Sequence, residues 1–565
     1  MLKATYFHLL FALTTSALSS QAQPAEHKLC VLEGRTLNSL TGQPISKINV
    51  TIQQRERVLG QSAPAGPTTV TTDTQGHFSF EGLPAGRYAL YARRNDGLYL
   101  ADYGARLPGE PGTLVALEPS DHKEVEFRIV PRGTLAGSVV DSDGDPVRRA
   151  TLLITALGAY GQERWTDGHG YQTNDRGEFR VYDMEPGKYC VLAVPPPSAR
   201  ACCTPEAAAA EIKHAATALL PTYYPSAPDL AAAARVDLPP GQELSNIRIT
   251  LREGRVYHVR GKVTGGTPPP KGLTIMLYPR DYPVSAGPEM FTVLSERLGN
   301  PRAVTPDGKF DLADVEPGPY EVAAIPSARD RGTLGRAEIV VKDQDANDVV
   351  LPLNALVKLS VAVRVEGAEA ADLSGGFMLW PLDSRLHKTA GGSLDVSGHA
   401  QINDIVPGQY RPRISIKPKD VYIKSLRLRS AAGSNDVLES GLDLNESSSA
   451  GTLEMLLSAD GGTVSGMVRK GDAPAPSRQL YLLPDIPNSE RSPNFKVVMS
   501  DGDGRFAFTG VAPGDYRLYA WEDITAGVSL ELDAAFRRRY WDSGTKVSVH
   551  AHESTQTDTA VVEAR

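Results

Sequence analysis

The chain has 565 residues, several times the usual length of one domain, which excludes a single hydrophobic core. Apolar residues make up 41% of the sequence, and its 52 glycines and 42 prolines indicate many turns and few long helices, so we expect an all-β protein. The formal net charge of −8 makes nucleic acid a poor partner and excludes the strongly basic binding proteins.

The first 22 residues have the pattern of a secretory signal peptide. Lys3 precedes an apolar run over residues 6–18, and small and polar residues lead to Ala22. The run is too short to cross a bilayer, which requires about 20 apolar residues. We therefore predict cleavage after Ala22 and a periplasmic or extracellular protein, with no transmembrane segment in the mature chain.

One motif recurs five times and organises the rest of the chain. It begins with a glycine and ends with a tyrosine twelve residues later, and successive copies begin 90 to 131 residues apart. This is the spacing of whole domains, because the repeats of solenoid proteins are shorter and recur roughly every 20 to 50 residues. The copies are residues 76–88, 177–189, 308–320, 398–410 and 504–516.

Each copy contains the signals of a turn, a strand and a second turn. An aspartate shortly before the glycine predicts a tight hairpin turn, and alternating apolar residues such as Phe78 and Phe80 predict a strand with one face toward a core. The tyrosine follows the second turn, where its ring can be buried while its hydroxyl bonds to upstream backbone, as in the tyrosine corner of Greek-key sandwiches. The turn aspartates are Asp73, Asp175, Asp307, Asp395 and Asp501, and the predicted structural tyrosine corners are Tyr88, Tyr189, Tyr320, Tyr410 and Tyr516.

Five tyrosine corners predict a tandem array of five β-sandwich domains. Each domain closes with a strand that leads directly into the next domain, so the linkers are very short, and we expect a semi-rigid rod or arc. The predicted domains are residues 23–131, 132–252, 253–354, 355–459 and 460–565, of which the fourth is divergent.

The second domain contains the segment least typical of a sandwich. An Ala-rich run over residues 205–220 places Ile212, Ala216, Leu219 and Leu220 on roughly one helical face, which predicts one short helical insertion. We expect this helix to pack on its own sheet, because a lone short helix is stabilised mainly by burying its apolar face.

Three of the four cysteines, Cys190, Cys202 and Cys203, lie close together in the second domain. In an oxidising compartment Cys190 can form a disulfide with Cys202 or Cys203, closing a loop of about a dozen residues worth up to roughly 3 kcal/mol. Buried thiols and a metal site are the alternatives, and the metal site is disfavoured because no histidine stands at ligand spacing.

Other candidate sites have a simpler structural explanation. The acidic turns at residues 141–145 and 501–504 resemble the start of a calcium loop but lack its distal glutamate, so hairpin turns are preferred to weak Ca²⁺ binding. His550 and His552 would share one face of a strand without a fixed third ligand, so an exposed strand is preferred to a metal site. No nucleophile elbow or phosphate-binding loop occurs. We predict no catalytic residue, no cofactor and no metal.

Several stretches resemble the carboxypeptidase regulatory-like domain, a transthyretin-like, Ig-like β-sandwich. Gly137-Ser-Val-Val-Asp141 with Pro146 and Ala150 resembles the opening pattern of that family, and residues 177–189 and 504–516 resemble its closing pattern. The resemblance extends over nearly all of the mature chain and is weakest in the fourth domain. It implies an accessory module of secreted or surface proteins, and no His-Glu-x-x-His element of a zinc peptidase accompanies it.

Two functions from different classes fit these observations. The first is a non-catalytic structural or protein-interaction array in the cell envelope, with an envelope or surface protein as partner, because the copies share core and turn residues while the loops differ. The second is carbohydrate binding, in which a row of exposed aromatic rings would stack on a polysaccharide. The candidate ligand contacts are Trp165, Tyr160, Tyr171, Tyr223 and Tyr224 in the second domain, and Trp380, Trp521 and Trp541 later in the chain.

Overall fold

Strands dominate the computed structural model, which contains 43 strands and a short 3₁₀ helix, Trp541–Ser543, in the part of the chain that it describes. This confirms the prediction of an all-β chain. The described residues are 29–57, 66–94, 96, 98–105, 112–157, 163–165, 171–196, 216–265, 273–280, 302–325, 333–366, 374–382, 390–417, 420–431, 433–445, 451–476, 478–486, 492–521 and 539–563.

The strands surround five hydrophobic clusters that follow one another along the chain. We name the strands around each cluster a unit, so that units 1 to 5 span residues 30–129, 133–250, 252–355, 357–458 and 462–562. Each cluster contains one motif tyrosine, and no two of these tyrosines share a cluster. In chain order the tyrosines are Tyr88, Tyr189, Tyr320, Tyr410 and Tyr516.

Unit 1 has two sheets, and both contribute to its cluster. Its strands are β1 (Cys30–Asn38), β2 (Ile48–Arg57), β3 (Thr68–Thr71), β4 (His77–Leu83), β5 (Gly86–Arg94), β6 (Tyr99–Asp102), β7 (Val115–Leu117) and β8 (His122–Ile129). The sheet orders are β4-β1-β8 and β3-β2-β5-β6, and β7 also pairs with β5.

Unit 2 repeats this arrangement. Its strands are β9 (Gly133–Val140), β10 (Thr151–Leu157), β11 (Glu163–Trp165), β12 (Tyr171–Gln172), β13 (Glu178–Met184), β14 (Gly187–Val194), β15 (Ala216–Leu220), β16 (Thr222–Tyr223), β17 (Val236–Leu238) and β18 (Glu243–Thr250). The sheet orders are β13-β9-β18 and β11-β10-β14-β16, with β12 on β10 and β17 on β14.

The strands of unit 3 join into one sheet. They are β19 (Arg252–Thr264), β20 (Thr274–Pro279), β21 (Arg302–Ala303), β22 (Lys309–Val315), β23 (Gly318–Ile325), β24 (Thr333–Val341) and β25 (Ala346–Ala355). Their order is β15-β19-β25-β24-β23-β20-β21, with β22 on β19, because β24 pairs with both β23 and the end of β25.

Unit 4 has two sheets of the order β29-β26-β34-β31-β32 and β28-β27-β30-β33. Its strands are β26 (Val357–Val365), β27 (Ser374–Pro381), β28 (Ala390–Leu394), β29 (His399–Ile405), β30 (Gly408–Lys417), β31 (Tyr422–Ser430), β32 (Gly433–Asp436), β33 (Leu442–Leu444) and β34 (Gly451–Ser458). Unlike in unit 1, the strand that follows the tyrosine strand, β31, crosses to the outer edge of β34.

Unit 5 closes the described chain with one joined sheet of the order β36-β35-β43-β40-β37-β38. Its strands are β35 (Gly462–Lys470), β36 (Ala473–Pro474), β37 (Gln479–Pro484), β38 (Lys496–Met499), β39 (Arg505–Val511), β40 (Gly514–Trp521), β41 (Thr545–Val549), β42 (Ser554–Gln556) and β43 (Thr559–Val562). Strands β39 and β42 pair with β35, and β41 pairs with β40.

The predicted helical insertion is wrong at its carboxyl end. The residues of β15 form an antiparallel strand that pairs with the start of β19, from Leu220 opposite Arg252 to Ala216 opposite Val256. Pairing with an available strand edge satisfies the backbone groups of this segment, and Leu220 is buried there, which outweighs the helix propensity of alanine. Residues 205–215 lie outside the described residues.

The first strand of each unit meets the motif strand at a glycine–phenylalanine pair, except in unit 4. A Cβ atom on Gly261 would lie 2.0 Å from the carbonyl oxygen of Val349 and 2.7 Å from the Cζ atom of Phe310, so only glycine fits there. In unit 4 the pair is Val361 opposite Ala400, which moves the larger side chain to the other strand. The four glycine–phenylalanine pairs are Gly34–Phe78, Gly137–Phe179, Gly261–Phe310 and Gly466–Phe506.

A β-bulge lies at the same place in every unit. Six residues after the motif glycine, the backbone adopts a positive φ between 56° and 71°, and the register of the first strand shifts beside it. Glycine and aspartate tolerate this conformation better than most residues. The bulge residues are Gly82, Asp183, Asp314, Asp404 and Gly510.

Candidate functional site

The turn that opens each motif is held by the side chain three residues before the glycine. Asp73 Oδ1 accepts hydrogen bonds of 2.8 Å from the backbone N–H groups of Gln75 and His77. Asp395 and Asp501 make the same pair of bonds in the fourth and fifth copies. These bonds lower the pKa of Asp73 and of Asp395, because they stabilise the ionised carboxylate.

In the second and third copies this position is not an aspartate. Asn174 Oδ1 accepts bonds of 2.9 and 2.8 Å from two turn N–H groups, and Thr305 Oγ1 accepts one of 2.9 Å from Lys309. The prediction that Asp175 and Asp307 hold these turns is therefore wrong, since amide and hydroxyl oxygens are equally able to accept the bond. Asp307 instead pairs with Lys309 and accepts a bond from Thr305, which lowers its pKa to about 2.

We expect the Asn174→Ala substitution to destabilise unit 2 by about 1 kcal/mol, because two turn N–H groups lose their acceptor. Asp175→Ala is the matched control, and its effect should stay within about 0.5 kcal/mol, as is usual for exposed positions. Hydrogen exchange of β13, resolved by mass spectrometry, measures both. A larger effect for Asp175→Ala than for Asn174→Ala would restore the original assignment.

Each motif tyrosine donates its hydroxyl to a backbone carbonyl four residues upstream. The bonds of Tyr88, Tyr320, Tyr410 and Tyr516 are 2.6, 3.0, 2.6 and 2.8 Å long, and Tyr189 bonds to Glu185 in the same way. Burial raises the pKa of Tyr88 and of Tyr410 to about 12, so both hydroxyls stay protonated and able to donate at neutral pH. The bond joins the second turn of the motif to the cluster beneath it.

Tyr516→Phe should destabilise unit 5 by about 1 to 2 kcal/mol, since the carbonyl of Ala512 would lose its buried partner. In urea unfolding of the mature chain, we expect the transition assigned to unit 5 to move to a lower urea concentration. Tyr182→Phe removes the hydroxyl of a ring that is 60% exposed and is the matched control. Equal effects of the two substitutions would show that the corner bond adds no stability.

The acidic turns use their carboxylates within the turn itself. Asp141 Oδ1 accepts bonds of 3.1 and 2.9 Å from the N–H groups of Asp143 and Asp145. Asp501 does the same at the motif turn of unit 5. This geometry is that of a hairpin turn, and it leaves the ligand set of a calcium loop incomplete.

His550 and His552 lie after β41, at a turn rather than along a strand, and His552 has a φ of 58°. The prediction that they share one face of a strand is therefore wrong, because the backbone reverses between β41 and β42. Among the residues that the structure describes, no group of three His, Cys, Asp or Glu side chains could hold a metal ion.

The predicted aromatic contacts of unit 2 are not an exposed row in the part that is described. Tyr223 is 6% exposed, and Tyr171 and Tyr224 are half-buried against the cluster of unit 2. Tyr160 lies outside the described residues, and of Trp165 the structure describes only its position on β11. The three described rings thus contribute to packing.

The later tryptophans also contact the protein's own side chains. Trp521 is 4% exposed and stacks on Tyr519 with ring centroids 5.5 Å apart. Trp541 and Trp380 are half-buried, and the guanidinium groups of Arg517 and Arg413 lie 5.2 and 5.1 Å from their ring centroids. None of the three rings is a free stacking platform.

Cys190 is buried between units 2 and 3, while Cys202 and Cys203 lie outside the described residues. The disulfide of Cys190 therefore stays a prediction. Cys30 is fully buried, and its thiol donates a hydrogen bond of 3.0 Å to the carbonyl of Glu118.

Unit 1 contacts unit 2 through the bulge of unit 2. Arg94 at the end of β5 makes a bidentate pair with Asp183, with both N–O distances at 2.8 Å, and it also pairs with Asp96. These bonds raise the pKa of Arg94, so the guanidinium stays charged. Arg132 in the linker donates to the carbonyl of Asp183 at 2.8 Å, which fixes the bulge from a second side.

Units 2 and 3 share a second hydrophobic cluster outside their own cores. Side chains on the outer faces of β10 and β14 meet those on the outer faces of β20 and β23, and only Leu251 separates β18 from β19. The pairing of β15 with β19 adds backbone hydrogen bonds across the same junction. The buried members of the shared cluster are Leu153, Cys190, Leu192, Val194, Tyr223, Ala227, Tyr278 and Ala323.

The side-chain amide of Asn494 in unit 5 forms two hydrogen bonds with the backbone of Ile423 in unit 4, as a neighbouring strand would. Asn494 Oδ1 accepts a bond of 3.0 Å from the N–H of Ile423, and Asn494 Nδ2 donates one of 2.8 Å to the carbonyl of the same residue. Thr509 donates to Asp420 at 2.5 Å, beside the bulge at Gly510. The backbone edge of unit 4 is thereby paired with side chains of unit 5.

Two arginines of unit 4 cover an aromatic ring of unit 5 at the same junction. The Cζ atoms of Arg411 and Arg413 lie 4.2 and 5.0 Å from the ring centroid of Phe495. Arg411 is fully buried, and Phe495 belongs to a second cluster of unit 5 that includes Trp521 and Tyr540. The guanidinium groups gain cation–π attraction in a site from which water is largely excluded.

Comparison with known proteins identifies one part of the chain. No curated protein matches the sequence. Among solved structures, the minor pilin GBS52 of Streptococcus agalactiae is 15% identical with a TM-score of 0.23, covering 40% of this chain and 96% of that one. The Bacillus anthracis TIE protein is 9% identical with a TM-score of 0.16, covering 77% and 76%, and the shaft pilin SpaA of Lactobacillus rhamnosus GG is 10% identical with a TM-score of 0.20, covering 40% and 98%.

No helix in the described ranges is long and apolar enough to cross a membrane. Residues 31–108, which contain the first motif and its tyrosine corner at Tyr88, match the family model of the carboxypeptidase regulatory-like domain. The first unit of this chain is therefore similar to the carboxypeptidase regulatory-like domain over residues 31–108.

Proposed function

We propose that the chain is an exported, non-catalytic array of five β-sandwich domains that acts as a structural or protein-interaction element of the cell envelope. The domains are residues 23–131, 132–252, 253–354, 355–459 and 460–565, and residues 1–22 are a cleaved signal peptide. One tyrosine corner in each of five separate clusters supports this division.

The observation that carries the proposal is the packing between neighbouring units. Domains joined by linkers normally move relative to one another unless their interface is hydrophobic or otherwise extensive. Here units 2 and 3 share a buried cluster, and units 4 and 5 share the Phe495 site and the pair between Asn494 and Ile423. Fixed junctions suit a protein that presents surfaces at defined distances, and they have no evident use in catalysis.

The chemistry of the described residues supports a non-catalytic role. His258 bonds to Asp311 at 2.6 Å, but Arg260 occupies the second oxygen of that carboxylate at 3.0 Å and also pairs with Asp345. The histidine and both carboxylates are thus held in an ion-pair network on the outer face of β19, without a nucleophile bonded to the histidine in the described part. The polysaccharide alternative loses its main support, because the described candidate rings pack against protein.

Fractionation of the native host tests export. The full chain with a carboxyl-terminal tag should be recovered outside the cytoplasm with a mature amino terminus after Ala22, and a variant lacking residues 1–22 should remain inside. Isolation of the tagged chain after mild cross-linking of whole cells should enrich a small set of envelope proteins. Cytoplasmic recovery of the full chain would contradict the proposal.

Small-angle X-ray scattering of the mature chain tests the array itself. Fixed junctions predict one particle shape with little flexibility, whereas freely jointed domains would give a broad distribution of dimensions. A hydrolase screen tests the non-catalytic role. Turnover of a substrate that a single substitution in the chain abolishes would contradict it.

A further inference from the structure

The last strand of units 1 to 4 pairs in parallel with the first strand of the same unit, but the outer edge of that last strand differs between units. In unit 4 the outer edge of β34 carries β31, antiparallel, from Tyr422 opposite Ser458 to Arg429 opposite Thr452. In unit 1 the corresponding segment, β6, pairs back onto β5, so β8 ends its sheet in the described part of the chain. The same fold position is thus filled in unit 4, whereas no described strand fills it in unit 1.

Among the described residues, no strand pairs with the backbone hydrogen-bonding groups of β8 at this edge. The carbonyl oxygens of Asp121 and Ile129 accept bonds of 2.8 and 2.9 Å from unit 1 residues on the β1 side. Because backbone groups alternate along a strand, those of Glu124, Glu126 and Arg128 point to the opposite, open side. Such an edge is a template for another strand. In unit 2 the equivalent edge is partly covered, since the N–H of Thr250 bonds to the carbonyl of Pro225.

One acidic position of β8 matches that of the strand that β31 covers in unit 4, and in unit 1 its residue, Glu126, pairs with Arg128 at 2.6 Å. Gly34 faces Val125 in unit 1, and Val361 faces Leu453 in unit 4, so Glu126 occupies the position of Glu454. Glu454 forms an ion pair of 2.9 Å with Arg429 of β31. The exposed residues of β31 are basic, and its buried residues are apolar: Lys424, Arg427 and Arg429 on one face, Ile423, Leu426 and Leu428 on the other.

An incoming strand also has apolar surface to cover in unit 1. Tyr103 is half-buried beside β8, and its ring meets that of Phe127 edge to face with centroids 5.7 Å apart. Burial raises the pKa of Tyr103, and the negative charge of Glu126 raises it further. Apolar side chains of an added strand would pack on the remaining exposed part of Tyr103, as those of β31 pack into the cluster of unit 4.

We propose that the outer edge of β8 binds an extended segment of a partner protein by β-strand addition, antiparallel, with lysine or arginine alternating with apolar residues. The acidic net charge of the chain favours such a basic partner. This inference deepens the proposed function, on which it rests, by naming one interaction surface and the chemistry of what it takes. The alternation gives specificity, because a shift of one residue would place the basic side chains against the core.

A synthetic peptide with the sequence of Tyr422–Ser430, carrying a fluorescent label, is the probe, and the mature full chain is the receptor. We expect saturable binding at low salt that a scrambled peptide of the same composition does not show. The double substitution Glu124→Lys and Glu126→Lys should weaken binding about tenfold, because two cross-strand ion pairs become repulsive. Glu81→Lys, at an exposed position on β4 at the other edge of the same sheet, is the matched control and should change nothing.

Two further variants separate strand addition from simple charge attraction. Glu124→Pro removes an N–H that points to the open edge and leaves the pairing with β1 intact, so it should abolish binding without lowering the melting temperature by more than a few degrees. A peptide with glutamate at the three basic positions should bind the doubly lysine-substituted chain and not the original.

Binding that survives Glu124→Pro, or that the scrambled peptide reproduces, would overturn the proposal. Concentration-dependent dimerisation of the chain alone, lost in Glu124→Pro, would show that this edge binds a second copy of the chain. That result would overturn the proposal that it binds a partner protein. Neither result would affect fractionation or the scattering of the monomer at low concentration, so failure of this inference is distinguishable from failure of the proposed function.

Discussion

Replacing Gly261 with valine should unfold unit 3 locally, with a loss of at least about 3 kcal/mol. The new Cβ atom would lie 2.0 Å from a backbone carbonyl oxygen and 2.7 Å from Phe310, and the carbonyl cannot retreat without breaking the pairing of β19 with β25. Because a chain of five units does not unfold in two states, hydrogen exchange resolved by mass spectrometry is the suitable measurement. Protection should fall in β19, β22 and β25 and persist in unit 5.

Gly376→Val is the matched control. This strand glycine lies in β27, where the nearest atom to a new Cβ would be 3.9 Å away, so valine should be accommodated there. Adding Phe310→Ala to a Gly261→Ala chain should restore little of its stability. The second substitution relieves the contact of the new Cβ atom with the ring but leaves its contact with the carbonyl oxygen of Val349. A stable Gly261→Val chain with full protection of β19 would refute the steric reading of these pairs.

The glycine–phenylalanine pair explains why the fourth copy of the motif diverges. In unit 4, Val361 faces Ala400, so volume is exchanged between the two strands. In the sequence, copy four lacks the phenylalanine of the other copies. The valine that compensates for it lies about forty residues earlier, on the neighbouring strand of the folded unit. Cross-strand complementarity of this kind is not visible in a local pattern.

The features predicted from the sequence are those fixed by local backbone geometry. The spacing from glycine to tyrosine defines two turns and one strand, and all five hydroxyls reach the carbonyl four residues upstream. The identity of the turn residue was less predictable, because Asn174 and Thr305 make the same bond as an aspartate. The spacing of the motif therefore predicts where the turn residue lies better than it predicts which amino acid stands there.

The features that could not be predicted depend on contacts between units. The alanine-rich segment at Ala216–Leu220 is a strand because β19 offers it an edge, and that edge belongs to the following unit. Cys190 and Tyr223 have no reason to be buried within their own sandwich, and both lie in the cluster shared with unit 3. Their tertiary context overrides local propensity. Among the aromatic residues suggested as sugar contacts, Tyr223 is buried in this shared cluster, whereas Tyr171 and Tyr224 pack against the cluster of their own unit.

Phe495→Ala should lower the stability of the second cluster of unit 5 by about 3 kcal/mol and loosen unit 4 from unit 5. The ring is 7% exposed, and its loss opens a cavity beneath Arg411, whose buried guanidinium then loses a favourable partner. Asn494 stands one residue before Phe495, so its bonds to Ile423 should weaken as well. Hydrogen exchange should accelerate in β31 of unit 4, although the substitution is in unit 5.

Two controls separate coupling from simple loss of stability. Phe495→Leu keeps most of the apolar volume but removes the ring face, so its additional effect on β31 should be about 1 kcal/mol, the contribution expected of cation–π contact. Phe506→Ala removes a buried ring from the main cluster of unit 5 and should destabilise that unit while leaving β31 protected. If Phe506→Ala accelerates exchange in β31 as much as Phe495→Ala does, unit 4 depends on the folding of unit 5 as a whole. The arginine–phenylalanine contact would then not be what holds this junction of the array.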